Sequence, residues 1–501
     1  MGSFRMMRTA HKAAAVAVLA VVAGCGGGSD EDAAEPPVAW STFAGQCAAP
    51  RAGLDPYTGI AFPDRPGSLA TEKTWVRSFI DESYLWYDEV PPLLAGDFAT
   101  PIDYFDALKT PAVTASGNAK DRFHFTYPTA DWNAQSINST EIGYGIQFAF
   151  LSLVPPRDLR IAYTEPGTPA TQAAISRGMK VMAIDGIDID TEDATDIDGL
   201  NAGIYPAREG EAHSFTLRTP DGIDRTVTLT GAVITSTPVQ NVRTIPTPSG
   251  LVGYLLFNDH VVPAEAQLIA AINRLKGDGI ADLVIDLRYN GGGLLDIASE
   301  LAYMVSSPVA TTGTIFERVQ YNKKNPFRKS AEQMIVPFHS TSLGFSTEPG
   351  QPLPQLGLSR VTVLTGPDTC SASEAVVNGL RGVGVTVNLI GDTTCGKPYG
   401  FYPEDNCGTT YFAIQFKGVN QQGFGDYDDG FAPTCPVADD FEHALGDSNE
   451  ALLATALSLR ANGVCPASEQ SRIARGRSQV EKHAPYLVRS PIRENRIYMR
   501  R

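Results

Sequence analysis

Residues 361–382 constrain the fold more than any other stretch. Val361-Thr-Val-Leu364 is a short, β-branched apolar segment of the kind that forms a buried strand. Gly366-Pro367-Asp368 breaks it, and Ala375-Val-Val-Asn-Gly-Leu380 resumes at helical spacing. Ser371 therefore falls on a strand-to-helix elbow, where free backbone N–H groups and the helix dipole favour negative charge. A second apolar strand, Val385 to Ile390, ends in Gly391-Asp-Thr-Thr-Cys-Gly-Lys397. A lysine in such an apolar crease can lose its proton and act as a base toward Ser371. The plainer reading of Ser371 is a helix N-cap.

The same alternation extends on both sides. Val252 to Phe257 predicts a strand, Ala264 to Leu275 an amphipathic helix, and Ala281 to Asp286 another apolar strand. That strand runs through Gly291-Gly-Gly293 into a helix over Leu295–Val305, so backbone N–H groups can point outward from the glycine loop. Tyr411 to Phe416 predicts a strand and Asn449 to Arg460 a helix. Residues 240–465 thus predict an α/β core with a mixed sheet. Upstream, 138–235 has short strands and turns, a β-rich module. Residues 71–137 are helical, with Trp75–Trp86 and Pro101–Leu108 as helices and Phe79, Tyr84, Leu85 and Trp86 as core residues.

The ends are of another character. Arg5, Arg8 and Lys12 precede the apolar run Ala13–Ala23, which is too short for a permanent membrane span and reads as a targeting segment, 1–24. Residues 25–70 read as a tether, Gly-, acid- and Pro-rich at first. The tail 466–501 is basic and poor in apolar residues, which suits disorder or a surface position. A net charge of −16 excludes a nucleic-acid partner. Past Cys25, six cysteines in an exported chain suggest disulfides, with Cys395–Cys407 and Cys47–Cys465 as plausible pairs. No CxxC or histidine cluster supports a metal.

Ser371-Ala-Ser-Glu374, with Gly396-Lys397 downstream, resembles the Ser–Lys dyad region of the C-terminal processing (tail-specific) serine peptidases, whose pattern is Ser-Ala-Ser-Ala-Ser-Glu and then Gly-Lys-Gly. The resemblance implies Ser371 as nucleophile and Lys397 as base, with Ser373 and Cys370 as rival nucleophiles. Leu287-Arg-Tyr-Asn-Gly-Gly-Gly-Leu-Leu295 resembles that family's Asp-Leu-Arg-Asn-Asn-Pro-Gly-Gly, with Gly291 in place of the proline. It implies an oxyanion hole from the N–H of Gly292 or Gly293 and that of Ala372, each donor contributing roughly 3 kcal/mol in the transition state. Asp286 and Arg288 then read as structural. Tyr84 to Pro91 and Asp121 to Tyr127 resemble the family's helical N-terminal part.

Gly143-Tyr144-Gly145-Ile146 resembles the carboxylate-binding loop of PDZ domains, and Thr164–Ala170, Ala173–Gly178 and Val181–Gly186 follow in matching order. Glycines there let successive N–H groups converge on a peptide carboxylate while the next strand edge pairs with the peptide. Val22-Ala-Gly-Cys25 resembles a bacterial lipobox, which implies a lipid on Cys25 and a periplasm-facing anchor in the cell envelope, at the outer membrane because Gly26 is not aspartate.

Together the resemblances imply a multidomain α/β fold: a crotonase-like peptidase core, a PDZ-like domain and a small helical N-terminal domain. They imply an exported, lipid-anchored serine endopeptidase acting near protein C-termini on substrates with free C-termini, without a cofactor or metal. Lys397 would have to fall from a pKa of about 10.4 toward 7–8, at roughly 4 kcal/mol. One departure stands out. Phe401 stands where the family carries a glutamine that orients the lysine, leaving Gln415 or another group for that part, and His260 is an alternative base. The competing reading is a non-catalytic lipoprotein that binds peptides or hydrophobic ligands.

Overall fold

A computed structural model describes residues 39–466 and 486–488. The targeting segment, Cys25 and the tail apart from 486–488 lie outside the described residues. Among the described residues, no helix is long and apolar enough to cross a membrane.

A six-stranded sheet forms the centre, in the order Val239–Thr247, Gly250–Phe257, Asp282–Asp286, Arg360–Thr365, Thr386–Gly391, Cys435–Pro436. The first pair is antiparallel and the remaining pairs are parallel. Parallel neighbours need crossovers, and the helices Ala264–Gly277, Leu295–Val305 and Ala372–Gly382 lie on them. These helices cover one face with Leu255, Phe257, Leu283, Ile285, Val361, Val363 and Leu389. The other face, with Tyr254, Leu256, Val284, Leu364 and Ile390, packs on the helix Ala451–Asn462 and on Ala149 and Ala162 of the β-rich module. Cover on both faces is why these strands read as unbroken apolar runs.

The β-rich module is a twisted sheet of Asp224–Thr230, Ala212–Arg218, Lys180–Ile184, Asp158–Thr164 and Ile146–Ser152. Its own core combines Phe148, Phe150, Leu159, Ile161, Phe215 and Leu217 with Leu200 and Ile204 of the helix Ala194–Ile204. A buried ionic network joins it to the central sheet. Arg177 pairs with Asp439 at 2.7 Å and donates to the Tyr289 hydroxyl at 2.6 Å. Arg288 pairs with the same Asp439 at 2.7 Å, with Glu450 at 2.7 Å and with Asp286 at 2.9 Å. Asp286 and Arg288 are structural, as the sequence reading had them.

The helical block has no separate core. Trp75, Phe79, Ile80, Tyr84 and Phe105 share one cluster with Tyr399, Tyr411, Ala413 and Ile414 from downstream of Lys397. The described part of the stretch expected as tether, 39–70, packs against this block: Trp40 meets the Trp75 ring at 6.1 Å, and Cys47 is buried. The expected strand Tyr411–Phe416 is two strands, Thr409–Phe412 and Phe416–Val419, in different sheets. Every residue from Thr410 to Phe416 is buried, so hydrophobicity carries no mark of the break.

The disulfides are Cys47–Cys407, Cys370–Cys395 and Cys435–Cys465. They replace the expected Cys395–Cys407 and Cys47–Cys465. The hairpin Glu404–Asn406/Thr409–Phe412 carries Cys407 at its turn, beside the N-terminal segment, while Cys395 is drawn to the residue before Ser371. The tail is not featureless either, since Tyr486–Val488 pairs with Ile146–Ser152.

Candidate active site

Three loops leave the carboxyl ends of three adjacent parallel strands: 287–293 after Asp282–Asp286, 366–371 after Arg360–Thr365, and 392–397 after Thr386–Gly391. Sites in such sheets form at that end, where successive loops and helix N-termini converge. Ser371, Lys397 and the triglycine segment all lie on these loops. A cavity of about 360 Å³ at the opposite end, walled by Asp282, Arg360, Thr386 and Arg460, holds none of them.

Ser371 is the residue before the helix Ala372–Gly382 and has φ +55° with ψ −115°, a costly conformation for a residue with a Cβ. Its neighbours enforce it. The Cys370 N–H donates to the Asn290 carbonyl at 3.1 Å, the Ala375 N–H to the Ser371 carbonyl at 2.9 Å, and Cys370 is bonded to Cys395. Ser371 is half-buried. The rivals differ: Ser373 is fully buried and donates its hydroxyl to the Asn290 carbonyl at 3.0 Å, and Cys370 has no free thiol.

Glu374 ties the elbow to the lysine. It is fully buried; its Oε2 accepts from the Ser371 N–H at 3.0 Å and from the Lys397 N–H at 2.8 Å. Those two main-chain nitrogens flank one oxygen, so they are no farther apart than the two distances combined. Its Oε1 accepts from the Thr394 hydroxyl at 2.6 Å and the Gly396 N–H at 2.8 Å. Burial holds the Glu374 pKa above the ordinary carboxyl value, and the hydrogen bonds from Thr394 and from the Lys397, Gly396 and Ser371 amides pull it part-way back. Cys370, Glu374 and Cys395 cluster like metal ligands, but their sulfurs are joined in the disulfide and offer no thiolate.

The Lys397 side chain is half-buried, with Nζ 4.1 Å from the Phe401 ring centre and 5.0 Å from that of Phe123. Phe401 thus walls the amine where the family pattern has glutamine. Gln415 does not replace it: its Oε1 accepts from the Tyr402 N–H at 2.6 Å and its Nε2 faces Ser83 Oγ at 3.4 Å.

The glycine loop closes the third side. Gly292 has φ +99°, and a Cβ there would lie 2.8 Å from Ser371 Cβ and 2.9 Å from the Ala372 nitrogen. Gly293 has φ +132°, and a Cβ there would lie 2.5 Å from the His260 carbonyl oxygen. Only glycine serves at either position. Asn290 sets the loop: its Nδ2 donates to the Phe257 carbonyl at 2.9 Å, and its Oδ1 accepts from the Gly292 N–H at 3.0 Å. The Gly292 N–H is therefore committed to Asn290. The Gly293 N–H has no acceptor among the described residues, and the Ala372 N–H is the first of its helix, without an intrahelical partner.

His260 is fully buried, with Nδ1 2.9 Å from the same Asn290 oxygen, which requires the proton on Nδ1. Burial pushes its pKa down to about 4, so it is neutral. Its Nδ1 is committed to the loop framework.

In the β-rich module, Gly143–Ile146 lies at the start of the strand Ile146–Ser152. Tyr144 is buried, its hydroxyl donating to the Gly203 carbonyl at 3.0 Å. Gly145, at φ +76°, sits so close to Thr168 that a Cβ would come within 2.4 Å of its Oγ1. Sequence reasoning left Glu374, Asn290, Thr394 and Phe123 without roles. The Ser-x-x-Glu spacing of a capping box was a readable signal for Glu374; nothing local distinguishes the others.

Residues 251–400 match the family model for Peptidase family S41, and residues 71–127 match the Peptidase S41 N-terminal domain. The chain is 29% identical over 261 residues to the carboxyl-terminal-processing protease of a Picosynechococcus species, covering 51% of this chain and 54% of that one. It is 30% identical over 169 residues to the chloroplastic carboxyl-terminal-processing peptidase 2 of Arabidopsis thaliana, covering 32% of each. The chain spans about half or less of the length of these relatives. A crystal structure described as an S41 protease of Bacteroides fragilis shares the fold at a TM-score of 0.59 and 22% identity, over 77% of this chain and 97% of that one. Residues 251–400 are thus similar to Peptidase family S41 and residues 71–127 to the Peptidase S41 N-terminal domain, and the chain resembles relatives named carboxyl-terminal-processing proteases.

Proposed function

We propose that this chain is a serine endopeptidase that hydrolyses peptide bonds near protein C-termini with Ser371 as nucleophile and Lys397 as base. The observation that carries it is the shared oxygen of Glu374, which brings the main chain of Ser371 and that of Lys397 to one carboxylate beside the glycine loop. Neutral Lys397 takes the Ser371 proton as Oγ bonds to the scissile carbonyl carbon. The oxygen's negative charge is met by the N–H groups of Ala372 and Gly293, with Gly292 shaping the space. The C–N bond then breaks, Lys397 returns the proton to the leaving amine, and water attacks the acyl-enzyme with Lys397 again as base.

The Gly143–Ile146 loop and the strand after it support capture of an extended peptide by its carboxyl end. With Cys25 lipidated, the enzyme works at the bacterial envelope on the periplasmic side. The test compares wild type, Ser371→Ala and Lys397→Ala on unstructured peptides with apolar C-termini, read by mass spectrometry. Turnover in the two variants is expected to fall by at least about 10³-fold, and a fluorophosphonate adduct should map to Ser371. Equal turnover by all three ends the dyad. A wild type that binds peptide without cutting it makes the protein a peptide-binding lipoprotein.

A further inference from the structure

The outer edge of the strand Ile146–Ser152 is already occupied. Its inner edge pairs with Asp158–Thr164, and its outer edge takes Tyr486–Val488, a strand from far downstream. The register is antiparallel: Tyr486 faces Phe150, Leu487 faces Ala149 and Val488 faces Phe148. Advancing from 486 to 488, the segment therefore heads for Ile146 and the glycine loop. A peptide whose carboxyl end is to reach that loop needs this same polarity. Leu487 is 2% exposed and lies in the cluster that contains Ala149 and Ala162 of the module and Tyr254 and Leu256 of the central sheet. The two alanines leave room in the sheet face for one bulky apolar side chain from the added strand.

The pairing is also short. Pro485 immediately precedes the strand and Pro491 follows three residues after its end, and neither can donate to a ladder. Three residues of pairing with one anchoring leucine make a weak ligand that holds its place because it is tethered, as an intramolecular ligand at an effective concentration in the millimolar range.

We propose that this edge is the docking edge for substrate peptides, which add as an extended strand with a bulky apolar residue at the Leu487 position, and that Tyr486–Val488 fills it in cis until substrate displaces it. The inference rests on the peptide-recognition reading of the β-rich module and not on the Ser–Lys chemistry.

The test uses the full chain with Ser371→Ala, so nothing is cleaved, and a labelled synthetic peptide with the sequence of residues 482–492. Adding Leu487→Asp, or in a second protein Leu487→Ala, is expected to tighten binding of that peptide about tenfold by removing the tethered competitor. Amide exchange at Phe148–Phe150 is expected to be slow in the parent, fast in the Leu487 variants and slow again once peptide is added. Binding that is equal or weaker in both variants, or exchange there that stays slow without peptide, overturns the proposal and leaves Tyr486–Val488 a fixed structural strand. A wild type that cuts peptides while these variants bind no better removes this inference alone. Tighter binding in the variants of a chain that cuts nothing removes the catalytic reading alone.

Discussion

At the scale of single residues, Glu374 explains most of the site's geometry. One buried carboxylate accepts three main-chain N–H groups and one hydroxyl, and two of its four donors belong to Ser371 and Lys397. Glu374→Gln keeps the shape but turns an NH₂ toward N–H groups. At least one buried donor then loses its acceptor, at about 1–3 kcal/mol. The expected result is a lower unfolding free energy, measured by denaturant titration, together with a drop in turnover larger than the folded fraction explains. Wild-type turnover in a folded Glu374→Gln would refute the positioning role. This residue stood in the motif but had no role in the sequence reading: the Ser371 N–H lies three residues away, but its other three donors lie twenty residues or more away in the 394–397 loop.

At the scale of elements, agreement with the sequence tracked how local each signal was. The helix Leu295–Val305 has the bounds its apolar spacing predicts, and the strand expected at Val361–Leu364 runs Arg360–Thr365. Tyr411–Phe416 failed because a run buried on all sides has no period to read. The Cys370–Cys395 bridge belongs to this scale: it joins the start of a helix to a loop 25 residues on, in parallel with Glu374. Replacing both cysteines by serine is expected to destabilise by up to about 3.5 kcal/mol on the chain-entropy account for a 25-residue loop. Turnover should fall without vanishing, since the carboxylate still holds both segments. Complete loss of turnover in a protein with an unchanged melting temperature would show that the bridge, and not Glu374, sets the alignment.

At the scale of the whole molecule, buried carboxyls give stability a definite pH dependence. Burial pushes Glu317 up to about 8 and Glu404 up to about 7. Glu300 is pushed up to about 8 by burial and by Glu265, whose own carboxylate accepts N–H groups from Leu343, Gly344, Ser346 and Thr347. A carboxyl whose folded pKa lies above its ordinary 4.5 contributes stability in full below 4.5, and that contribution is lost as pH rises through 7 and 8. Asp439 works in the opposite sense. Burial would raise it, but Arg177 and Arg288 hold it below its ordinary value, so its contribution is lost in acid. Stability is therefore expected to be greatest on the acid side of neutrality and to fall from about pH 5 to 8, with Glu317→Gln flattening that slope in denaturant titrations. A flat wild-type profile over that range would contradict the assignment. Read alone, the chain determined its α/β core, the elbow bearing Ser371, the glycine loop and the lysine downstream, because each rests on neighbours within a few residues. Tertiary structure alone decided which cysteines join, which amide Asn290 takes, that one carboxylate holds the main-chain N–H groups of both Ser371 and Lys397, and that residues 486–488 close a sheet more than three hundred positions upstream. Those are meetings between distant segments, and no local pattern of hydrophobicity or turn chemistry records where the other partner will be.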